Sequence, residues 1–178
     1  HIRYSSINLP GGVKCMKVEF RNTSSNIWAV QLSRVYIGTN YLDDFMDDYS
    51  KMYCHTANLW FDSSNPQYVG GDTSRLYRTT TSFQNIVYKV PDTNNIVGYV
   101  VDTYFWPAES IIDFKFYASN DGLAYTEIMP VKDNQGGNWI HVVYKGNVPP
   151  LTKYIKIEFR NISENIWNPQ ISSIKILY

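Results

Sequence analysis

Residues able to grip a ligand gather in one stretch of this chain. Asn58, Trp60 and Asp62 stand at alternate positions, followed by Asn65, Tyr68, Asp72, Arg75 and Arg78. An indole or phenol ring can stack on a flat apolar face, while carboxylates, amides and guanidinium groups bond polar edges. A pyranose offers both, a C–H face and a rim of hydroxyls, so the mixture suits a sugar. Tyr104 and Trp106, ahead of Pro107, put a second indole where a strand meets a turn. Two readings of Trp60 and Trp106 stay open: outward stacking platforms, or aromatics of the core and its edge. Arg75 and Arg78 lie at i and i+3, which on a strand face opposite ways, so at most one is expected to reach a ligand. There it would suit an acidic sugar, through a bidentate bond to a carboxylate. A plain surface ion pair is the alternative.

The acidic run Asp43, Asp44, Asp47 and Asp48 lacks the glycine and distal glutamate of a helix–loop–helix calcium loop. A structural Ca²⁺ held by Asp43, Asp72 or Asp121 is a candidate, set against solvated loop acids; no other cofactor is expected. Glycoside hydrolysis usually needs two carboxylates across a cleft. Glu19 and Glu158 occupy equivalent positions of a repeat, while Glu109, Glu127 and Glu164 fall in a turn, a strand and a loop. Asp102 with Glu127 is the least unsuitable pair. His1 and His141 are equivalents too, and His55 has neither a nucleophile motif nor metal-ligand spacing. No catalysis is expected.

Sixteen basic and sixteen acidic residues cancel, which leaves no electrostatic footprint for nucleic acid or an anionic membrane. No apolar run approaches the ~18 residues of a membrane span. Fifteen Tyr and five Trp in 178 residues exceed what a core of this size requires, so some rings are expected to meet solvent or a ligand.

The organisation follows from a repeat. KCMKVEFRNTSSNIWAVQLSRVYI at 14–37 aligns without a gap on KYIKIEFRNISENIWNPQISSIKI at 153–176, with more than half the positions identical. Such self-similarity marks tandem modules. Residues 39–178 read as one complete unit. Residues 1–38 read either as the closing strands of a preceding repeat or as strands that complete the same sandwich, the second being favoured. His1 in place of Met fits excision from a longer, multimodular chain, with adjacent modules as neighbours. Trp28 and Trp167 recur beside Phe20/Phe159 and Arg21/Arg160, which points to packing; Trp139, after Gly136 and Gly137, is read the same way. Cys15 aligns with Tyr154, so a disulfide to Cys54 is not needed by the fold.

Period-2 alternation dominates the chain, as at Met16, Val18 and Phe20 and again at Ile155, Ile157 and Phe159. Further strands are expected at 31–37, 57–62, 75–80, 85–90, 96–105, 111–118, 124–129, 139–145 and 170–178. Turn-forming clusters separate them at 63–66, 70–72, 91–95, 119–122, 133–137 and 147–150. One helical turn is expected over 43–49. Many short strands without a long helix predict an all-β, antiparallel β-sandwich of jelly-roll kind.

FKFYASNDGLAYTEI at 114–128 resembles the strand–turn–strand of the discoidin-like superfamily, and the closing 153–176 segment resembles its terminal strand pair. SKMYCHTANLWFDSSNPQYVGGDTSR at 50–75 is similar to repeats of large secreted polysaccharide-degrading enzymes, with xanthan-directed and β-glucan-directed enzymes as the candidate settings. The resemblance implies a discoidin-like sandwich that binds polysaccharide without cleaving it, in an extracellular setting. Trp60, Tyr68, Asp72, Arg75, Arg78, Tyr104 and Trp106 are then the candidate ligand-binding residues. A discoidin-type adhesion or lectin domain, and a structural spacer within a glycoside hydrolase or lyase, are the competing readings.

Overall fold

The computed structural model describes residues 17–19, 25, 40–107, 114–160 and 164–178. The chain divides into two compact units, His1–Asn40 and Tyr41–Tyr178. The expectations for His1, Cys15, Met16, Phe20, Arg21, Trp28, Glu109 and the strand at 31–37 fall outside the described residues, as does the beginning of the strand at 111–118.

Within Tyr41–Tyr178 the alternating segments become twelve strands. They are β1 (Tyr41–Asp44), β2 (Cys54–His55), β3 (Leu59–Asp62), β4 (Arg75–Arg78), β5 (Gln84–Lys89), β6 (Gly98–Phe105), β7 (Lys115–Ser119), β8 (Thr126–Ile128), β9 (Val131–Gly136), β10 (Ile140–Asn147), β11 (Tyr154–Phe159) and β12 (Gln170–Leu177). A seven-stranded sheet runs β3-β4-β12-β6-β10-β9, with β1 also on β12; a five-stranded sheet runs β2-β5-β11-β7-β8. All pairings are antiparallel. The architecture is the expected β-sandwich. Among the described residues no helix is long and apolar enough to cross a membrane.

The period of two decides which side chains meet. Phe61, Leu76, Ile171, Thr103 and Val142 are successive cross-strand partners on the inward side of the larger sheet. Ile86, Ile157, Phe116 and Ile128 form the matching row on the smaller one. Each such aliphatic or aromatic side chain contributes about 1.5–3 kcal/mol when fully buried. Their partners one residue along face outward, and these carry the chemistry.

Two local expectations are corrected, and two short elements are added. The 43–49 segment is not helical: Leu42 and Asp44 pair with Ile176 and Ile174, so β1 joins the larger sheet. The acidic run had masked a strand, because Asp44 turns inward and only a tertiary partner tolerates that. The turn set at 133–137 is mostly strand, β9 extending to Gly136. The two-residue β2 was not anticipated, and 66–68 forms a short 3₁₀ turn, Pro66–Tyr68.

Asp44 is fully buried, accepting hydrogen bonds from the Tyr88 hydroxyl at 2.8 Å and the Met46 N–H at 3.0 Å. It ties the two sheets together. Burial pushes its carboxyl above the usual aspartate range, against the opposing effect of those two donors. A raised folded-state pKa means the native protein holds the proton more tightly than the unfolded chain. Stability from this residue is therefore present in acid and is lost as pH rises through the folded pKa. Urea midpoints of wild type and Asp44→Asn across that range are expected to diverge, the wild type losing ground as pH rises. Parallel curves would show that Asp44 titrates as in the unfolded chain.

Candidate functional site

The outward side chains near the end of β6 are Asp102, Tyr104 and, just past the strand, Trp106. On neighbouring β10 His141 is the partner of Tyr104, and Trp139 lies just before that strand. Three indoles meet there. The Trp106 and Trp139 ring centroids are 6.1 Å apart at 58°, and Trp139 and Trp167 are 5.5 Å apart at 45°. Trp106 is 40% exposed, and the other two are half-buried. Both separations lie in the favourable range for aromatic pairs, with the rings tilted between stacked and edge-on.

Asn168 sets the position of this cluster. Its buried amide accepts from the Trp106 N–H at 3.0 Å and donates to the Trp106 carbonyl at 3.5 Å. Holding one backbone at two points lowers the freedom lost when a ligand docks. Gly137, at φ 113°, allows the turn into β10; a Cβ there would lie 2.7 Å from the Trp139 carbonyl oxygen. Glycine is required at that point by both conformation and space.

Beside the indoles, the Tyr104 and His141 rings stack at 4.8 Å and 22°. His141 Nε2 lies 3.0 Å from Asp102 Oδ1, and Ser173 donates to Asp102 Oδ2 at 3.1 Å. The Tyr104 hydroxyl is held above its ordinary pKa, first by burial and then by Asp72 and Asp102, with Arg75 opposing. It is a neutral O–H donor throughout the physiological range.

The loop from β3 to β4 forms the other flank, and Arg75 pins it. Arg75 is buried and donates to Gln170 Oε1 at 2.7 Å, the Asp72 carbonyl at 2.7 Å, the Ser64 carbonyl at 2.6 Å and Asp62 Oδ2 at 3.2 Å. Gln170 in turn donates to Asp62 at 2.9 Å. Burial works against the Asp62 charge, but the Ser64 and Gln170 hydrogen bonds and the Arg75 guanidinium hold its carboxyl below the usual range. Asp72 accepts from the Ser74 N–H and from the Ser172 hydroxyl on β12. Gly70 brings the loop against β6: at φ 65°, a Cβ there would lie 2.9 Å from the Tyr104 hydroxyl oxygen. Gly70→Ala is expected to cost about 1 kcal/mol in stability from the left-handed backbone, and to displace Tyr104. Thermal unfolding of the variant and its Tyr ring NMR signals would show whether either occurs.

The structure thus separates the residues singled out from sequence. Tyr104 and Trp106 stand together. Trp60 is 61% exposed on β3, opposite Tyr77. It shares the outward face but lies three strands from β6, roughly 15 Å at ~4.8 Å per strand. Tyr68, 48% exposed, sits on the intervening loop. Arg75 and Arg78 do not reach the surface as ligand contacts. Arg75 faces outward beneath its loop, and Arg78 is buried at the end of β4, donating to the Thr81 carbonyl at 3.1 Å. Asp72 is engaged by Ser74 of its own loop and by Ser172 of β12.

The calcium expectation does not fit these residues. Asp43 pairs with Lys175 at 3.3 Å on β12, and Asp72 is occupied as above. Asp121 accepts from the Leu123 and Ala124 N–H groups and the Ser119 hydroxyl in a turn of the smaller sheet. Among the described residues no three His, Cys, Asp or Glu side chains are grouped to hold a metal. Cys54 is an exposed free thiol.

Trp139, Trp167, His141, Asp102 and Asn168 lie beside Tyr104 and Trp106, although none was among the candidate ligand-binding residues. Trp167, read from its recurrence as a packing residue, is half-buried against Trp139. The adjacent Gly136 and Gly137 were the available signal for Trp139.

No protein-family model matches the chain, and no curated protein does. Among solved structures it is similar to CBM35 from Paenibacillus barcinonensis, at 11% identity and a TM-score of 0.45, covering 78% of this chain and 98% of that one. It is also similar to the C-terminal CBM6 of LamC, a marine laminarinase from Zobellia galactanivorans, at 16% identity and a TM-score of 0.40, covering 78% of this chain and 100% of that one.

Proposed function

We propose that the Tyr41–Tyr178 unit is a non-catalytic carbohydrate-binding module that docks a neutral polysaccharide on Trp106, Trp139 and Trp167. The observation that carries this reading is the indole cluster itself, partly open and anchored through a buried amide on a rigid sheet. Exposed indoles cost solvation unless something apolar covers them, and a pyranose C–H face does so. Tyr104 and His141 lie beside the cluster and supply edge hydrogen bonds. The nearby charges argue for a neutral sugar: Asp102 and Asp72 are carboxylates, and Arg75 is engaged by Asp62 and by carbonyl groups. An acidic sugar, the ligand suggested by a free arginine, would meet like charge here.

A bond-breaking role lacks support from the carboxylates. Asp102 and Glu127 lie on different sheets, Asp102 beside His141 and Glu127 paired with Lys115 at 2.9 Å. The module's work is placement: in a secreted, multimodular polysaccharide-degrading enzyme it holds a catalytic neighbour near its polymer. Adjacent modules strengthen weak single sites by raising effective concentration.

Affinity gel electrophoresis against soluble β-glucans, mannans and xylans tests the proposal. Retardation by at least one neutral polymer, without release of reducing ends, is expected. No retardation by any of them would favour a spacer, and new reducing ends would show an enzyme.

A further inference from the structure

The outward face of the smaller sheet carries a second, chemically different surface. On β11 the outward residues are Tyr154, Lys156 and Glu158, and Lys156 is the cross-strand partner of Tyr117 on β7. The Lys156 ammonium lies 4.3 Å from the Tyr117 ring centroid and 4.6 Å from that of Tyr125. It is held between two π-faces, and among the described residues no carboxylate lies within ion-pairing distance of it. One strand away, Lys89 stands 5.6 Å from the Tyr154 ring and 5.8 Å from that of Tyr53. Tyr53 is 58% exposed and meets Tyr154 edge-on at 5.4 Å.

Two cations thus stand among four phenol rings, of which Tyr53 is exposed, Tyr117 and Tyr125 are half-buried and Tyr154 is buried. Burial raises the Tyr125 hydroxyl above its ordinary pKa. The acids nearby are committed. Asp92 pairs with Lys89 at 3.0 Å, Glu127, opposite Tyr117, with Lys115 at 2.9 Å, and Glu158 with Arg160 at 2.9 Å while accepting from the Tyr117 hydroxyl at 3.3 Å; Asp121 closes its own turn. Lys153 adds a further cation, donating to the Asp92 and Asn94 carbonyls. The positive charge at Lys156 is thus left over and fixed in place by aromatic contact.

The first copy of the repeat departs from this set in sequence. Lys17 aligns with Lys156, yet it is 80% exposed and lies 3.7 Å from Glu19. Cys15 stands where the second copy has Tyr154.

We infer that Tyr53, Lys89, Tyr117, Tyr125 and Lys156, backed by the buried Tyr154 ring, form a second binding surface, for a polysaccharide bearing uronic acid carboxylates. Charge complementarity selects the ligand: Lys156 bonds the carboxylate, and the open Tyr53 ring receives a sugar face. This surface faces away from the tryptophan cluster, on the other sheet, and stands independently of it.

Affinity electrophoresis of the full chain against polygalacturonate, with polyaspartate as a charged polymer without sugar, tests the inference. Polygalacturonate should retard the protein and polyaspartate should do so much less. Lys156→Met keeps an apolar chain between the two rings; it should weaken polygalacturonate binding about tenfold and leave retention by neutral glycans and the urea midpoint unchanged. Tyr53→Ala, a surface change that leaves Lys156 in place, should weaken it as well. No retardation by polygalacturonate, equal retardation by polyaspartate, or wild-type binding by both variants would each overturn the inference.

Discussion

Trp106→Ala is expected to abolish measurable retention by neutral polysaccharide while leaving the protein folded. Trp106 is the most open of the three indoles, and it projects beyond the end of β6, not into the core. A stacking aromatic at the centre of a contact commonly contributes about 2 kcal/mol or more, which is roughly a 30-fold loss in affinity. For a shallow site with weak starting affinity, that removes detectable binding. Trp139→Ala and Trp167→Ala should weaken binding too, but with some loss of stability, because both are half-buried in the cluster. Calorimetric titration beside a thermal melt separates the two effects. Trp60→Ala is the control: roughly 15 Å away at the ~4.8 Å strand spacing, it should bind as wild type. If Trp60→Ala destroyed binding and Trp106→Ala did not, the site would have to move to β3.

Arg75→Met is expected to produce the largest loss of stability. The guanidinium supplies four hydrogen bonds that join β4, β12 and the β3–β4 loop. Methionine fills much of the same volume but leaves Gln170, Asp62 and two carbonyls without their donor. Breaking one side of a buried pair costs about 3–5 kcal/mol; the low end applies here, because Asp62 is 23% exposed and water can reach it. The urea midpoint should fall accordingly. The loop that abuts Tyr104 through Gly70 should loosen as well, so sugar affinity should drop further than stability alone explains. Proteolysis of the loop under native conditions would report this directly. Unchanged stability would mean that the Arg75 network is surplus to the fold.

The acidic run at Asp43 to Asp48 shows where local patterning misleads. Charges alternating with Leu42 and Phe45 look like a solvated turn, but Asp44 is completed by Tyr88 from the opposite sheet. Similarly, Gly136 and Gly137 mark a turn correctly in kind, while β9 before them is strand because β10 offers it a partner. Arg75 and Arg78 carry the same lesson: their opposite facing follows from strand geometry, but neither is open to a ligand, since loop and sheet cover them.

What the amino-acid order determined by itself is the layered β architecture and the surplus of aromatic rings. Side-chain alternation and turn chemistry are local, and they survive whichever strands become neighbours. Which rings gather was decided only by tertiary pairing. Trp106, Trp139 and Trp167 lie far apart along the chain and meet because β6 is flanked by β10 and β12, an arrangement no short window contains. The same holds for Lys156 between Tyr117 and Tyr125, where antiparallel register converts distant residues into one surface.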